Sequence, residues 1–279
     1  MGYEIRSLVP AETPTVVSWA LAEGWKPGLH DLNAFMMVDP GGFLGGFFDG
    51  ELVASISAIR YPDGFAFVGF YIVRPEHRGK GLGFRLWKAG MERLSGYNMG
   101  LDGVTAQVEN YAKSGFRRAH PNRRYVLESP RPEVSVGGDL VDARSIPLAE
   151  LAAFDRRFFP AARRDFLAAW LSQPERRTRA IVRNGRVVAY GVDRPCDGGR
   201  RIGPLFAETP DLARTLFRAL TGGQSQPVFL DVPVRNAAAV AMVNELGMAS
   251  VFDTARMYSR EEPTIEHDGV FGITSLELG

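Results

Sequence analysis

The 279 residues are enough for two compact domains, each with its own core, and 33 Lys plus Arg against 32 Asp plus Glu leave a formal net charge of +1. That balance supplies no overall field to draw the chain onto nucleic acid or an anionic membrane, and the paired arginines from Arg117-Arg118 to Arg176-Arg177 read mostly as solvated faces. A single cysteine, Cys196, excludes an intramolecular disulfide framework. With no signal peptide and no apolar run of spanning length, the expected location is the cytoplasm.

In chain order, Tyr3-Glu4-Ile5-Arg6-Ser7 alternates as a strand, and Thr13-Pro14 opens a helix that stops at Gly24. A turn at Trp25-Lys26-Pro27-Gly28 leads to a second helix over residues 31–37. This connection crowds Glu23, Trp25 and Asp31 into one loop, which suits recognition; the competing reading makes Asp31 a cap and Trp25 a plug at the core edge. A hairpin turns at Asp49-Gly50, and a further turn at Pro62-Asp63-Gly64 enters a central apolar strand that Pro75 ends. Glycines then alternate with side chains behind Arg78, and Leu82, Leu86, Ala89 and Leu94 recur at helical spacing. A strand over residues 99–102, a short helix over 110–114, Gly115-Phe116 and two closing strands, 116–120 and 123–128, complete the first half.

A glycine loop opening a helix lets backbone N–H groups converge on an anion, with the positive end of the helix dipole behind them. The expected ligand group is a phosphate or diphosphate. A Walker loop is excluded because no Ser or Thr follows Lys80, and the dinucleotide fingerprint fails because Phe84 stands where its third glycine belongs. What remains is [Q/R]-x-x-G-x-[G/A], filled by Arg78, Gly81 and Gly83 after a strand ending in Val-x-Pro. On these residues the chain resembles the GNAT superfamily of N-acetyltransferases, and the order of elements resembles that fold from end to end. The resemblance implies an α+β chain whose sheet is mixed, mostly antiparallel and flanked by helices.

Ser129-Pro130-Arg131-Pro132-Glu133 and Gly137-Gly138 form a connector without apolar periodicity. The expected organisation is a catalytic domain at 1–130, a linker at 131–139 and a second GNAT-like domain at 140–279. Beyond the linker the pattern repeats: helices over 147–158 and 161–171, a hairpin at Asn184-Gly185, a strand over 228–232, a helix over 236–246 and Gly247-Met248. Gly185 answers Gly50 and Gly247 answers Gly115, at offsets of about 135 and 132 residues. In the second copy Glu208-Thr209-Pro210-Asp211 stands where the glycine loop should be. Acid at Asp211 and no glycine there predict a degenerate copy that binds no acyl-CoA, its helix simply capped by Thr209.

The resemblance implies acetyl-CoA as cosubstrate and no metal, with Arg78, Gly79, Lys80, Gly81, Leu82 and Gly83 clamping its diphosphate. The backbone of Ile72 and Val73 would bond the pantetheine arm and acetyl oxygen. Tyr111, four residues before Gly115-Phe116, would protonate the departing sulfur, since a phenol is neutral at pH 7 and can donate; the competing reading packs its ring on the sheet. The family's asparagine six residues before that tyrosine is Thr105 here, with Asn110 adjacent to the tyrosine instead. Asp102 is the first candidate for general base, before Glu109, Glu23, Asp31 or a water. His120 reads as a surface histidine. Glu23, Trp25, Asp31 and Tyr71 are expected on the acceptor side, where carboxylates favour a cationic amine, while Arg123 and Arg124 would suit the carboxylate of an amino acid. The expected reaction is acetyl transfer to a small-molecule amine or amino acid by direct attack in a ternary complex. Alternatives are a protein lysine acetyltransferase and a non-catalytic acyl-CoA sensor; the oligomeric state is left open.

Overall fold

A computed structural model describes residues 2–130 and 139–279. The first half runs β1 (Tyr3–Ser7), α1 (Thr13–Ala22), α2 (Asp31–Val38), β2 (Phe43–Phe48), β3 (Glu51–Arg60), β4 (Phe65–Val73), α3 (Leu82–Arg93), β5 (Asn98–Val104), α4 (Val108–Lys113) and β6 (Arg117–Leu127). The second runs β7 (Leu140–Val141), α5 (Leu148–Asp155), α6 (Arg164–Ser172), β8 (Arg177–Arg183), β9 (Arg186–Cys196), β10 (Gly199–Ala207), α7 (Pro210–Thr221), β11 (Val228–Pro233), α8 (Ala237–Glu245), β12 (Ala249–Tyr258) and β13 (Val270–Gly272). Of the linker expected at 131–139, residues 131–138 lie outside the described residues.

The strands form one sheet in the order β1-β2-β3-β4-β5-β12-β6-β11-β10-β9-β8-β7, with β13 on β10. Among the described strands, only β4–β5 and β10–β11 pair in parallel, so the sheet is mixed and mostly antiparallel. Its middle is an exchange. β12, late in the second half, lies between β5 and β6, and β6 lies between β12 and β11. Residues far apart in the chain therefore meet beside β5, which matters for the site. The halves also share a core, in which α2 packs on α6 with Phe35 stacked on Trp170 at 5.6 Å between ring centroids.

Three expectations need correction. The two closing strands of the first half are a single strand, because β12 and β11 hold both sides of β6 straight through Pro121 and Asn122. β10 and β13 have no counterpart in the sequence reading, since Gly203-Pro204 interrupts the apolar run of one and the other has only three residues. The arginine pairs are not simply solvated: Arg124, Arg163 and Arg176 are buried, each against an aspartate.

Candidate active site

The site begins where two parallel strands part. β4 and β5 pair only from Phe65–Asn98 to Val68–Leu101. Two residues later Phe70 takes φ +45°, the ladder to β3 slips between Ser55 and Ser57, and Ser55 Oγ donates to the Phe70 carbonyl at 2.8 Å. This bulge turns the rest of β4 away from β5. Backbone of residues 69–73 is thereby left facing a gap, and a cavity of about 300 Å³ fills it. Tyr71, Ile72 and Val73 from β4 and Asp102 and Val104 from β5 form its walls.

One end of the gap meets the glycine loop. Gly81 takes φ +75° as the residue before α3, a twelve-residue helix whose first N–H groups have no partner within the helix. A Cβ on Gly83 would lie 2.6 Å from Val73 Cγ2 and 2.9 Å from Tyr71 Oη, so a side chain there would push the helix off β4. Gly79 and Lys80 are exposed beside these amides, while the side chain of Leu82 is buried. Arg78 turns back: its Nε donates to the Val73 carbonyl at 2.8 Å and its guanidinium pairs with Glu23. The loop amides and the open edge of β4 together fit an anion joined to an extended, amide-bearing chain.

Tyr111 enters the cavity from α4. Its ring lies over Gly103, where a Cβ would stand 2.6 Å from Tyr111 Cε2, and packs on Trp87 at 5.4 Å between centroids. Burial, with Tyr71 nearby, pushes its phenol up to about 12. It therefore holds its proton at neutral pH. The ring packs on the sheet, as the competing reading has it, and the residue also lines the cavity. Glu23 and Trp25 line the cavity from the α1–α2 connection. Tyr71 lines the cavity beside the glycine loop, its Oη 2.9 Å from where a Cβ on Gly83 would stand and its ring 5.3 Å from Trp87.

Other expected site residues lie elsewhere. Asp31 is wholly buried, accepts from Gly28 N at 3.0 Å, and pairs with Arg176 and Arg194 at 2.9 Å each. It is a fold carboxylate and not a helix cap: His30 precedes α2 as its cap residue without a side-chain bond, and Asp31 ties the preceding turn to the second half. Asn110 and Glu109 are exposed, and Asn110 bonds Gln107 at 2.7 Å. Asp102 does line the cavity, and burial raises its carboxyl against the pull of Arg256. Yet Oδ1 accepts from Arg256 Nε at 2.8 Å and Asn122 Nδ2 at 2.7 Å, while Oδ2 accepts from Arg256 Nη2 at 2.7 Å. A proton taken there would leave a buried guanidinium without its counter-charge, so Asp102 is no longer the first candidate for base. Arg123 and Arg124 are spent on Asp253 and Asp231. His120 is buried, not superficial, and burial with Arg256 and Arg235 nearby lowers its pKa to about 3.

The sequence reading missed the far wall. Phe252 and Thr254 come from β12, and Leu276 and Glu277 from the segment after β13. Only the strand exchange brings β12 there. The one sequence signal in the tail was an acid set among apolar residues, Leu276-Glu277-Leu278.

The second half repeats the parting of strands and then closes it. β10 and β11 pair in parallel from Arg200–Val228 to Ile202–Leu230, after which β13 adds to β10 through Leu205–Gly272 and Phe206–Val270. Ile273 N donates to the Asp231 carbonyl at 3.0 Å. The gap is thus filled with the chain's own backbone. Thr209 Oγ1 accepts from Leu212 N at 3.4 Å, capping α7 at the place where the first half has its glycine loop.

Residues 6–116 match the family model for the acetyltransferase (GNAT) family, and residues 151–272 match a second model, an acetyltransferase (GNAT) domain. The chain is 34% identical over 272 residues to holothin acyltransferase of Pseudoalteromonas sp. (strain SANK 73390), covering 96% of this chain and 92% of that one. Its fold resembles that of a proposed acetyltransferase of Pyrococcus horikoshii, with TM-score 0.84 and 22% identity across 100% of this chain and 96% of the other. A tandem GNAT protein from the clavulanic acid biosynthesis pathway shares the fold at TM-score 0.61 and 15% identity, over 94% of this chain and all of that one. The chain belongs to the GNAT acetyltransferase family and is an acyltransferase.

Proposed function

We propose that the chain is an acetyl-CoA-dependent N-acetyltransferase that acetylates the amine of a small molecule by direct attack in a ternary complex. The observation that carries this reading is the contrast between the halves: one strand gap is open and ends on a glycine loop, and its twin is filled by β13 and capped by Thr209. When bound, acetyl-CoA supplies a thioester, whose carbonyl carbon accepts an amine more readily than a carboxylate does.

In this reading the amides of residues 79–83 hold the diphosphate, and the backbone of Ile72 and Val73 orients the arm and the acetyl oxygen. Tyr111 Oη gives its proton to the departing sulfur; with its pKa pushed up to about 12 the phenol is fully protonated at neutral pH and has that proton to give. Trp25, Phe252 and Leu276 close the acceptor end with apolar surface and exclude water. Walls drawn from both halves favour a small acceptor over the tail of a folded protein.

The test is a screen of small amines, amino acids and lysine peptides with acetyl-CoA, read as free thiol released. Rapid turnover of a small amine supports the reading. Faster turnover of lysine peptides would make the chain a protein acetyltransferase, and acetyl-CoA binding with no turnover of any acceptor would make it a sensor.

A further inference from the structure

Among the described residues, Glu277 is the one carboxylate of the cavity with a buried oxygen left over. Its side chain is 3% exposed, and it lines the cavity from the second half. Oε1 accepts from Arg201 Nη1 at 3.3 Å, whereas Oε2, also buried, has no hydrogen-bond partner among the described residues. An unpartnered buried carboxylate oxygen is costly and calls for a donor. Both oxygens of Asp102 are engaged by Arg256 and Asn122, and Glu23, 34% exposed to solvent, pairs with Arg78 through Oε1.

The position of Glu277 is fixed by backbone. A Cβ on Gly69 would stand 2.2 Å from the Glu277 carbonyl oxygen, so the tail sits directly on β4 one residue before the bulge at Phe70. Arg201, which holds Oε1, is itself held by Asp231 at 2.6 and 2.9 Å. Glu277 is therefore set rigidly beside the point where the strands part, and it lines the same cavity as Tyr111 from another wall. Trp25, Phe252 and Leu276 surround that space with apolar surface, so a cationic head on an apolar body is the chemistry it accommodates.

Resting on the acetyl-transfer reading, we infer that Glu277 Oε2 receives the protonated amine of the acceptor and takes its first proton, which makes the second half a contributor to the reaction. An ammonium R–NH3+ gives a proton to Oε2 and becomes R–NH2, whose lone pair forms the C–N bond as the C–S bond breaks. The sulfur leaves with the bonding pair and takes the Tyr111 proton; the attacking nitrogen then loses a second proton, which restores the phenol through solvent, and Oε2 gives its proton to solvent to restore the carboxylate. The substrate class is a small primary alkylamine with an apolar substituent.

The experiment uses the full chain. Calorimetry first measures CoA binding to wild type, E277Q and E277D. Benzylamine at pH 7 and its uncharged counterpart benzyl alcohol are then titrated into each CoA complex, and the pH dependence of benzylamine acetylation is recorded. The inference predicts equal CoA affinity in all three proteins and at least tenfold weaker benzylamine binding in E277Q with benzyl alcohol unchanged. It also predicts that turnover by E277Q falls ~10²-fold near pH 7 and recovers as the pH approaches that of the free amine's own deprotonation. Benzylamine binding and a pH profile like those of wild type in E277Q overturn the inference and leave the acetyl-transfer reading intact. Wild type that binds no CoA would instead remove that reading. Should E277Q fail to fold, E277D decides: its shorter carboxylate keeps the charge beside Arg201, and benzylamine affinity equal to wild type overturns the inference.

Discussion

Asp102→Ala separates a structural carboxylate from a catalytic one. The Asp102 side chain is 0% exposed and that of Arg256 9%, and two parallel hydrogen bonds at 2.8 and 2.7 Å join them across the β5–β12 seam. Removing the acid leaves a guanidinium buried without a counter-charge, a loss of about 3–5 kcal/mol. For a chain of this size each kcal/mol lowers the melting temperature by about 2 °C, so the expected fall is roughly 6–10 °C. Replacing both partners, as D102L with R256M, removes the stranded charge and should recover most of that loss. The assay is a thermal melt of wild type, the single variant and the double variant at fixed protein concentration, beside acetyl-CoA affinity and turnover of the best amine from the screen. If D102A melts like wild type yet loses turnover, the ion pair contributes little and Asp102 acts on the substrate after all.

Tyr111→Phe should bind acetyl-CoA as wild type does and lose turnover by ~10²-fold or more, because the ring keeps its place over Gly103 while the proton donor is gone; single-turnover kinetics with equilibrium binding check this. His120 gives an acid-limb prediction. Its folded pKa, lowered by burial and then by Arg256 and Arg235, is about 3 against 6.5 for a free histidine, so between those values the unfolded chain binds more protons than the folded one. Stability must therefore fall as pH drops below 6.5, with His120 contributing up to about 1.4 kcal/mol per pH unit. His120→Gln should flatten that limb of a stability-against-pH curve measured with urea, and an unchanged slope would count against a buried neutral imidazole.

The elements with strong local signals were legible from residues alone. Pro75, the alternating glycines and the Leu82-Leu86 spacing announce a strand, a loop and a helix, and α3 begins at Leu82. Asp49-Gly50 and Asn184-Gly185 mark hairpins whose turn residues take positive φ, as such turns demand. Thr209 caps α7 as its side chain suggests. Partners chosen at long range were not legible. Nothing local to Ala249–Tyr258 says that the strand will insert beside β5, so the pairing of Arg256 with Asp102 was out of reach. Long-range placement likewise decides that Asp31 is locked on Arg176 and Arg194 and serves the fold, while Glu277, distant in sequence from the glycine loop, lines the cavity. Buried charge misled for a related reason: composition cannot tell a solvated arginine pair from one like Arg123-Arg124, where one member faces solvent and the other is locked on Asp231.

The central claim is that one half of the chain takes acetyl-CoA and the other half cannot. Isothermal titration of the full chain with acetyl-CoA, wild type beside Gly83→Val, tests it most directly. A Cβ at Gly83 meets Val73 at 2.6 Å, so the branched side chain should displace the loop from β4. One equivalent bound by wild type, weakened tenfold or more by the substitution, is the expected result. Two equivalents, none, or one that the substitution leaves untouched would contradict the account.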